Sequence, residues 1–194
     1  MLTWISLWSC FGGTGKQIEE TAAPVIYPDA CDPVVHFPLG ALGGPVTEAD
    51  HHQPQLGESP LPYQVHYNWP SKDPTRNAAF LWRTDIDTLA SQVQIGPTSS
   101  FPERADIIDG YTFRFGGGRP NEGPFRMHEV KVCGTLEPGT AYSYRVGGEG
   151  AWSETYRFDT PAASIDTLRV GMVGDSRGAY DTWGQIAQLL EAEG

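Results

Sequence analysis

The chain has 194 residues, enough for one or two domains with a sizeable core. Its 13 basic and 24 acidic residues give a net charge of −11, which excludes nucleic acid as the expected partner because phosphate backbones are bound by clustered Lys and Arg. No run of about 18 apolar residues is present, so the sequence predicts no transmembrane helix.

Residues 1–60 are predicted to be a leader followed by a spacer rich in Gly and Pro. Residues 7–10 (Leu-Trp-Ser-Cys) resemble the lipobox of a bacterial lipoprotein signal. The resemblance implies a lipid on Cys10, membrane anchoring through that lipid, and an extracytoplasmic location (secreted, periplasmic or lipid-anchored). An export signal begins with a positively charged region, yet no Lys or Arg precedes Cys10. A true start upstream of Met1 and a disordered end therefore remain open alternatives.

The cysteines of the chain are Cys10, Cys31 and Cys133, and they include no C-x-x-C pair. An odd count without that spacing argues against a cysteine zinc site. If Cys10 carries a lipid, Cys31 and Cys133 remain available to form a disulfide.

Two short patterns in the spacer are assigned no function. Residues 12–16 (Gly-Gly-Thr-Gly-Lys) suggest a phosphate-binding loop, but Cys10 stands where its first glycine is required and Gln17 replaces Ser or Thr. His51-His52 beside Asp50 is predicted to be a solvated loop, and the spacer is expected to pack loosely or to wrap the next domain.

Short strands separated by turn signals are predicted over residues 61–161. Sixteen prolines, 23 glycines and many aromatic residues favour such strands over a helical bundle. The alternation predicts seven strands, at residues 64–68, 78–84, 92–95, 111–115, 125–133, 142–146 and 155–158. Seven short strands in about 100 residues are typical of an immunoglobulin-like β-sandwich.

The most specific signal in this region is residues 136–144, Leu-Glu-Pro-Gly-Thr-Ala-Tyr-Ser-Tyr. It resembles the tyrosine corner of fibronectin type III domains, in which a Tyr hydroxyl bonds back to the preceding corner and Pro-Gly shapes the turn. Tyr142 is accordingly predicted to be a structural residue.

Residues 168–194 read as one strand, a glycine-flanked carboxylate and a helix. The apolar run that ends at Gly174-Asp175 places Asp175 at the carboxyl edge of an α/β sheet, where ligand and metal sites collect. Support of the turn or capping of the helix is the alternative role for Asp175. Thr182 and Gln185 predict a capping box, and one apolar helix face follows at Trp183, Ile186, Ala187 and Leu190.

The order of these pieces, from about Pro62 to the chain end, resembles the N-terminal part of the purple acid phosphatases, a group of metallophosphoesterases. The pieces are residues 62–66, 80–84, 91–96, 128–132, 136–144 and 158–161, followed by Gly174-Asp175. The resemblance implies a fibronectin type III-like domain at 61–161 and the first βα unit of a metallophosphoesterase domain at 168–194. It also implies hydrolysis of phosphate esters by two metal ions (Fe with Fe, Zn or Mn), with Asp175 as the first ligand.

This chain departs from the family pattern after Asp175. Relatives carry His or Gly two residues later, whereas this chain has Arg177, which has no lone pair to offer a metal. Arg177 can contact phosphate bidentately or pair with a nearby carboxylate, and both alternatives stay open.

The remaining ligands of the family site are not found in this sequence. Residues 176–194 contain no His and no Asn, and all five histidines precede Asp175. Among them, His66 and His128 are predicted to be half-exposed structural residues of the sandwich. One ligand of about seven cannot hold a two-metal site, so the 194-residue chain is expected to be the front part of a phosphatase, with no turnover and no stable metal binding by itself.

A secreted binding or interaction module without catalysis is the alternative function. Its candidate surface is the loop that carries Arg114, Arg119 and Arg126 around four glycines. A hairpin loop without a target is the simpler explanation of the same residues. Metal binding by Asp175 separates the two functions.

Overall fold

The computed structural model describes residues 50–115, 123–167, 171 and 180–193. Strands are the main regular structure among these residues, with one turn of 3-10 helix at Thr98–Ser100 and an α-helix, α1, at Tyr180–Glu193. The described strands are β1 (Asp50–His51), β2 (Tyr63–Asn68), β3 (Ala78–Thr84), β4 (Gln92–Pro97), β5 (Asp106–Asp109), β6 (Tyr111–Phe115), β7 (Phe125–Val132), β8 (Ala141–Gly147) and β9 (Tyr156–Asp159).

The strands form two antiparallel sheets. The first has the order β1-β6-β7-β3-β2, and the second has the order β5-β4-β8-β9. The inner faces of both sheets contribute to one hydrophobic core, which is the arrangement of a β-sandwich. The predicted sandwich is therefore confirmed for the described part of the chain.

The core follows directly from alternation along the strands. In β3, Phe80 and Trp82 are fully buried, and the two residues between and after them, Leu81 and Arg83, are only partly buried. In β7 the inward positions are Arg126, His128, Val130 and Val132, all buried. Each large apolar side chain removed from water in this way contributes about 1.5–3 kcal/mol to folding.

Aromatic rings fill one end of the sandwich. The Phe80 ring lies 4.5 Å from that of Tyr144 and 5.8 Å from that of Phe158, and Tyr67 closes the edge 4.9 Å from Phe158. Tilted and edge-to-face contacts at these distances suit the charge distribution of aromatic rings. The cluster links β2, β3, β8 and β9, and so joins the two sheets.

The predicted strands are all present, and the structure adds two more. β3 and β6 have the predicted bounds, and β2, β4, β7, β8 and β9 differ by one or two residues at their ends. The strands absent from the prediction are β1, which pairs with β6, and β5, which pairs with β4.

Residues 50–60 belong to the sandwich and not to a loose spacer. Asp50 pairs with Thr112 in the ladder, and its carboxylate accepts a hydrogen bond from Arg126 at 2.7 Å. The backbone N–H of Leu89 donates to the carbonyl of Gln55 at 2.9 Å. Of the two arrangements predicted for the spacer, residues 50–60 therefore adopt the one in which it wraps the next domain. Residues 1–49 lie outside the described residues.

The carboxylate of Asp85 fastens residues 57–59 to the turn after β3. It accepts hydrogen bonds from the backbone N–H groups of Ser59, Asp87 and Thr88, at 2.6, 2.9 and 2.9 Å. Burial alone would raise the pKa of Asp85, but these hydrogen bonds outweigh it and lower the pKa. The turn accordingly holds its carboxylate in the charged form.

Helix α1 begins earlier than predicted. Its first residue is Tyr180, so Thr182 lies inside the first turn and the predicted capping box at Thr182 is wrong. A Cβ atom placed on Gly171 would come within 2.8 Å of the Leu190 side chain, so that side chain lies against the backbone at Gly171. No helix in the described residues combines the length and the apolar character needed to cross a bilayer.

Candidate functional site

The residues predicted to meet metal and phosphate, Asp175 and Arg177, lie outside the described residues, as do Cys10 and Cys31. Within the described part of the chain, no three His, Cys, Asp or Glu side chains come together in a way that could hold a metal ion. The described residues therefore do not fit a two-metal site by themselves, and no catalytic step follows from their geometry.

The corner that leads out of the sandwich toward that region is built around Tyr142. The Tyr142 hydroxyl accepts a hydrogen bond from the backbone N–H of Glu137 at 2.9 Å, which is the bond that a tyrosine corner makes. Gly139 supplies the turn with a φ of 63°, a conformation that side chains other than glycine disfavour.

Thr160 ties the end of the sandwich to this corner. Its hydroxyl donates to the carbonyl of Glu137 at 2.6 Å and accepts the N–H of Thr140 at 2.9 Å. The N–H of Gly139 donates to the carbonyl of Pro161 at 3.0 Å. These bonds hold Thr160 and Pro161 in place, so the chain leaves the sandwich at a fixed position relative to the tyrosine corner.

His128 is fully buried in the core, so the prediction of a half-exposed residue is wrong. Its ring stacks on Trp82 with centroids 4.9 Å apart, and its Nε2 lies 2.7 Å from the hydroxyl of Thr84. The Thr84 hydroxyl also donates to the carbonyl of Asp85, so we assign the imidazole proton to Nε2.

The environment keeps His128 neutral. Burial, followed by the positive charge of Arg126, lowers the pKa of His128 to about 3, and Asp85 opposes them more weakly. Its Nδ1 and the Trp82 Nε1 are buried without a hydrogen-bond partner among the described residues. His128 therefore has a structural role, because its ring is packed in the sandwich core against Trp82 and is far in sequence from Asp175.

A cleft of about 180 Å³ opens beside β1, β6 and β7. It is lined by His51, His52, Asp109, Gly110, Tyr111, Glu129 and Lys131. The prediction that His51-His52 is a solvated loop is wrong, because His51 lies in β1 and the His52 Nδ1 accepts the N–H of Ser91 at 3.0 Å.

The polar side chains of this cleft contact partners inside it or beside it. Lys131 lies 3.5 Å from Glu129, and His52 lies 3.7 Å from Glu149. Burial raises the pKa of Glu129 and lowers that of Lys131, and in both cases the partner opposes the shift. Asp109 accepts a hydrogen bond from Gln92 at 2.8 Å. These contacts hold the charged groups of the cleft against neighbouring side chains.

The three-arginine surface of the alternative function is not formed as predicted. Arg126 is 4% exposed, and it donates to the carbonyl of Ile86 and to the carboxylate of Asp50. Arg114 is exposed, and Arg119 lies outside the described residues. The inward position of Arg126 follows from its alternation with His128, Val130 and Val132, a signal that was present in the sequence.

Comparison with known proteins adds evidence of a different kind. Residues 62–160 match the family model described as purple acid phosphatase, N-terminal domain. Purple acid phosphatase 21 of Arabidopsis thaliana is 31% identical over 146 residues, which cover 73% of this chain and 30% of that relative. The chain thus spans less than a third of the length of this curated relative.

Solved structures give more distant likenesses. The fibronectin type III domain of human contactin 1 covers 61% of this chain and is itself covered to 89%, with 17% identity and a TM-score of 0.39. The match to astrotactin-2 covers 55% of this chain and 23% of the astrotactin-2 chain, with 14% identity and a TM-score of 0.35. The sandwich assignment rests on the sheet topology described above and not on these likenesses.

Proposed function

This chain belongs to the purple acid phosphatase family through its N-terminal domain, and on that premise we propose that it is the front part of a metal-dependent phosphoesterase. The observation that carries the proposal is the family match over residues 62–160, which covers the strands from β2 to β9. The sandwich is the non-catalytic domain, and the segment after Pro161 enters the catalytic domain. Phosphate esters are the substrate class.

Asp175 is proposed as the first ligand of a two-metal site. In that family the metals, when bound, supply Lewis-acid activation of the phosphate ester and a metal-generated nucleophile. The role of the described residues is to fix the point at which the chain enters the catalytic segment, through Tyr142, Thr160 and Pro161. Arg177 is proposed as a phosphate contact.

The location that we propose is extracytoplasmic. Cys133 is disulfide-bonded, and disulfides persist in oxidising compartments outside the cytosol. A lipid on Cys10 would add membrane anchoring, and mass spectrometry of the N-terminal peptide from the native host tests it. An unmodified Cys10 peptide would show that Cys10 carries no lipid, whereas the proposal of an extracytoplasmic location would still stand.

An assay of the purified 194-residue chain tests the catalytic part of the proposal. We expect hydrolysis of p-nitrophenyl phosphate at the background rate, with or without added Mn²⁺ or Fe³⁺, because one predicted ligand cannot hold two metals. The Asp175→Ala variant is the matched control and is expected to give the same background. Turnover by the chain that disappears in Asp175→Ala would contradict the proposal of an incomplete site.

A further inference from the structure

Residues 162–167, called the linker below, lie between the sandwich and the segment that carries Asp175. All six residues of the linker are exposed, and the apolar Ile165 is 53% exposed. The linker contains neither helix nor strand. Among the described residues, none donates a hydrogen bond to the linker or accepts one from it, and no linker side chain forms an ion pair. Its backbone therefore lacks the contacts that hold a folded loop.

The tyrosine corner sets the upstream limit of the linker. The N–H of Thr160 donates to the carbonyl of Thr140 at 3.0 Å, and the Thr160 hydroxyl donates to the carbonyl of Glu137 at 2.6 Å. The carbonyl of Pro161 accepts the N–H of Gly139 at 3.0 Å. Within the described residues, the hydrogen bonds of the corner extend to Pro161 and no further.

Turns elsewhere in the sandwich differ from the linker because their backbones are hydrogen-bonded. In the turn before β5, the N–H of Ala105 donates to the carbonyl of Pro102 at 3.2 Å. In the loop between β8 and β9, the N–H of Ala151 donates to the carbonyl of Gly148 at 2.9 Å. A protease has to break such bonds before it can bind the chain in an extended form, so it cuts these turns only when they open. The linker has no such bond to break.

The sequence of the linker decides which class of protease can cut it. It begins with Ala162-Ala163-Ser164 and contains no Lys or Arg, so a trypsin-like enzyme has no site within it. Exposed segments with small and polar residues are preferred sites of proteolytic nicking. A protease with a small specificity pocket, such as elastase, fits the three bonds that follow these residues.

Cleavage in the linker would leave the sandwich complete. The described strands of both sheets end with β9 at Asp159, before the linker begins. Cys133 is disulfide-bonded, but no cysteine follows it in the 194 residues, so no disulfide within the chain crosses the linker. A single cut there consequently separates the two sides without reduction.

We propose that the linker is a processing site, at which an endoprotease that accepts small residues releases the intact sandwich from the segment that carries Asp175. The reaction is peptide hydrolysis. The C–N bond after Ala162, Ala163 or Ser164 breaks, and water supplies OH to the carbonyl carbon and H to the nitrogen, which gives a new carboxyl end and a new amino end. The contacts that define the site lie in residues 137–167, so cleavage does not depend on the metal site proposed for Asp175.

Limited digestion of the 194-residue chain with pancreatic elastase tests the accessibility of the linker. We expect the first cut within the described residues to give C-terminal fragments that begin at residue 163, 164 or 165, identified by intact-mass spectrometry. The bond after Ala105 is the internal control, because Ala105 is small and partly exposed but its N–H is hydrogen-bonded. We expect the linker to be cut at least about 10-fold faster than this bond. Equal rates, or an earlier cut after Ala105, would overturn the proposal.

A variant with two prolines in the linker tests whether these three bonds are the site. Ala163→Pro combined with Ser164→Pro places a proline next to each bond, and cleavage at all three is expected to fall at least about 10-fold because proline has a fixed φ and no N–H. The fold should tolerate these prolines, since the linker donates no hydrogen bond to the described residues. Ala163→Ser combined with Ser164→Ala is the matched control and should be cut at the parent rate. Unchanged cleavage of the proline variant at these bonds would contradict the assignment of the site.

Urea denaturation of the fragment that ends at residue 162, 163 or 164 tests whether the released sandwich is intact. We expect one cooperative unfolding transition, because the bonds of Thr160 and Pro161 to the corner are kept. A fragment without such a transition would overturn the release of an intact sandwich.

Tryptic peptides of the protein from its native host show whether processing takes place there. Trypsin cuts after Arg157 and Arg169, so the unprocessed chain gives the peptide of residues 158–169. We expect processed chains to give peptides that begin at residue 158 and end at residue 162, 163 or 164. Recovery of the intact peptide 158–169 alone would overturn the proposal of a processing site.

Discussion

His128 shows at the residue scale how alternation along a strand decides the role of a side chain. Histidine in a chain with a predicted metal site invites assignment as a ligand, yet β7 turns this one into the core beside Trp82 and Thr84. The same alternation buries Arg126, which the sequence had suggested as part of a surface. The spacing of both residues from Val130 and Val132 predicts their burial, because residues two apart in a strand share a face.

The buried histidine makes the fold sensitive to acid. The pKa of His128 in the folded protein, about 3, lies below the unfolded value near 6.5, so only the unfolded chain binds the proton between these values. The contribution is fully present above pH 6.5 and is lost as the pH falls toward 3, at up to about 1.4 kcal/mol per pH unit. His128→Gln is expected to have a flatter dependence of unfolding free energy on pH over this range.

Urea denaturation at a series of pH values measures this slope. His66→Gln is the matched control, because His66 lies on the exposed edge strand β2, and it is expected to keep the slope of the parent. An identical slope in His128→Gln and the parent would show that His128 does not stay neutral in the fold.

At the scale of elements, the strands with apolar alternation could be predicted and the others could not. β3, with Phe80 and Trp82, has the predicted bounds. β1 is only two polar residues long. It forms because it pairs with β6 and because Asp50 makes an ion pair with Arg126. β5 is Asp-Ile-Ile-Asp, whose acidic ends resemble a turn. Both strands form through pairing with other strands, and no local sequence pattern reveals such pairing.

The attachment of β1 should depend on its ion pair. Asp50→Asn removes the charge that faces Arg126, whose side chain is 5% exposed, while Asp50 itself is 41% exposed. We expect a loss of about 1–2 kcal/mol in unfolding free energy, because a buried guanidinium loses its charged partner but solvent screens the pair in part.

Chemical denaturation measures this loss, and Asp159→Asn serves as its control. Asp159 pairs with Arg157 at 3.5 Å with both side chains more than 60% exposed, so its removal is expected to cost less than about 0.5 kcal/mol. Equal effects of the two substitutions would contradict a structural role for the Asp50 pair.

The tyrosine corner gives a second prediction at this scale. Tyr142→Phe removes the hydroxyl that accepts the N–H of Glu137 and is expected to lower the unfolding free energy by about 1 kcal/mol. Tyr63→Phe, at a position that is 45% exposed, is expected to change it little. Equal stability of Tyr142→Phe and the parent in urea denaturation would show that this hydrogen bond does not stabilise the fold.

At the scale of the whole molecule, the family and the sandwich could be predicted because their signals are spread over many residues. The order of strands, the tyrosine corner and the exit at Thr160-Pro161 all agree with the family match over residues 62–160. A metal site is different, because its ligands come from separate parts of a sequence. Asp175 alone gives no geometry by which the prediction could be checked.

The proposed function is tested most directly by the metal content and phosphatase activity of a full-length phosphoesterase that contains this chain, with and without Asp175→Ala. We expect the parent to hold two metal ions per chain and to hydrolyse p-nitrophenyl phosphate. We expect Asp175→Ala to lose at least one metal ion and to lower kcat at least 100-fold, since the loss of one ligand disrupts the site. The stability control Tyr142→Phe should keep both metals. Full metal content and full activity in Asp175→Ala would contradict the assignment of Asp175 as a metal ligand.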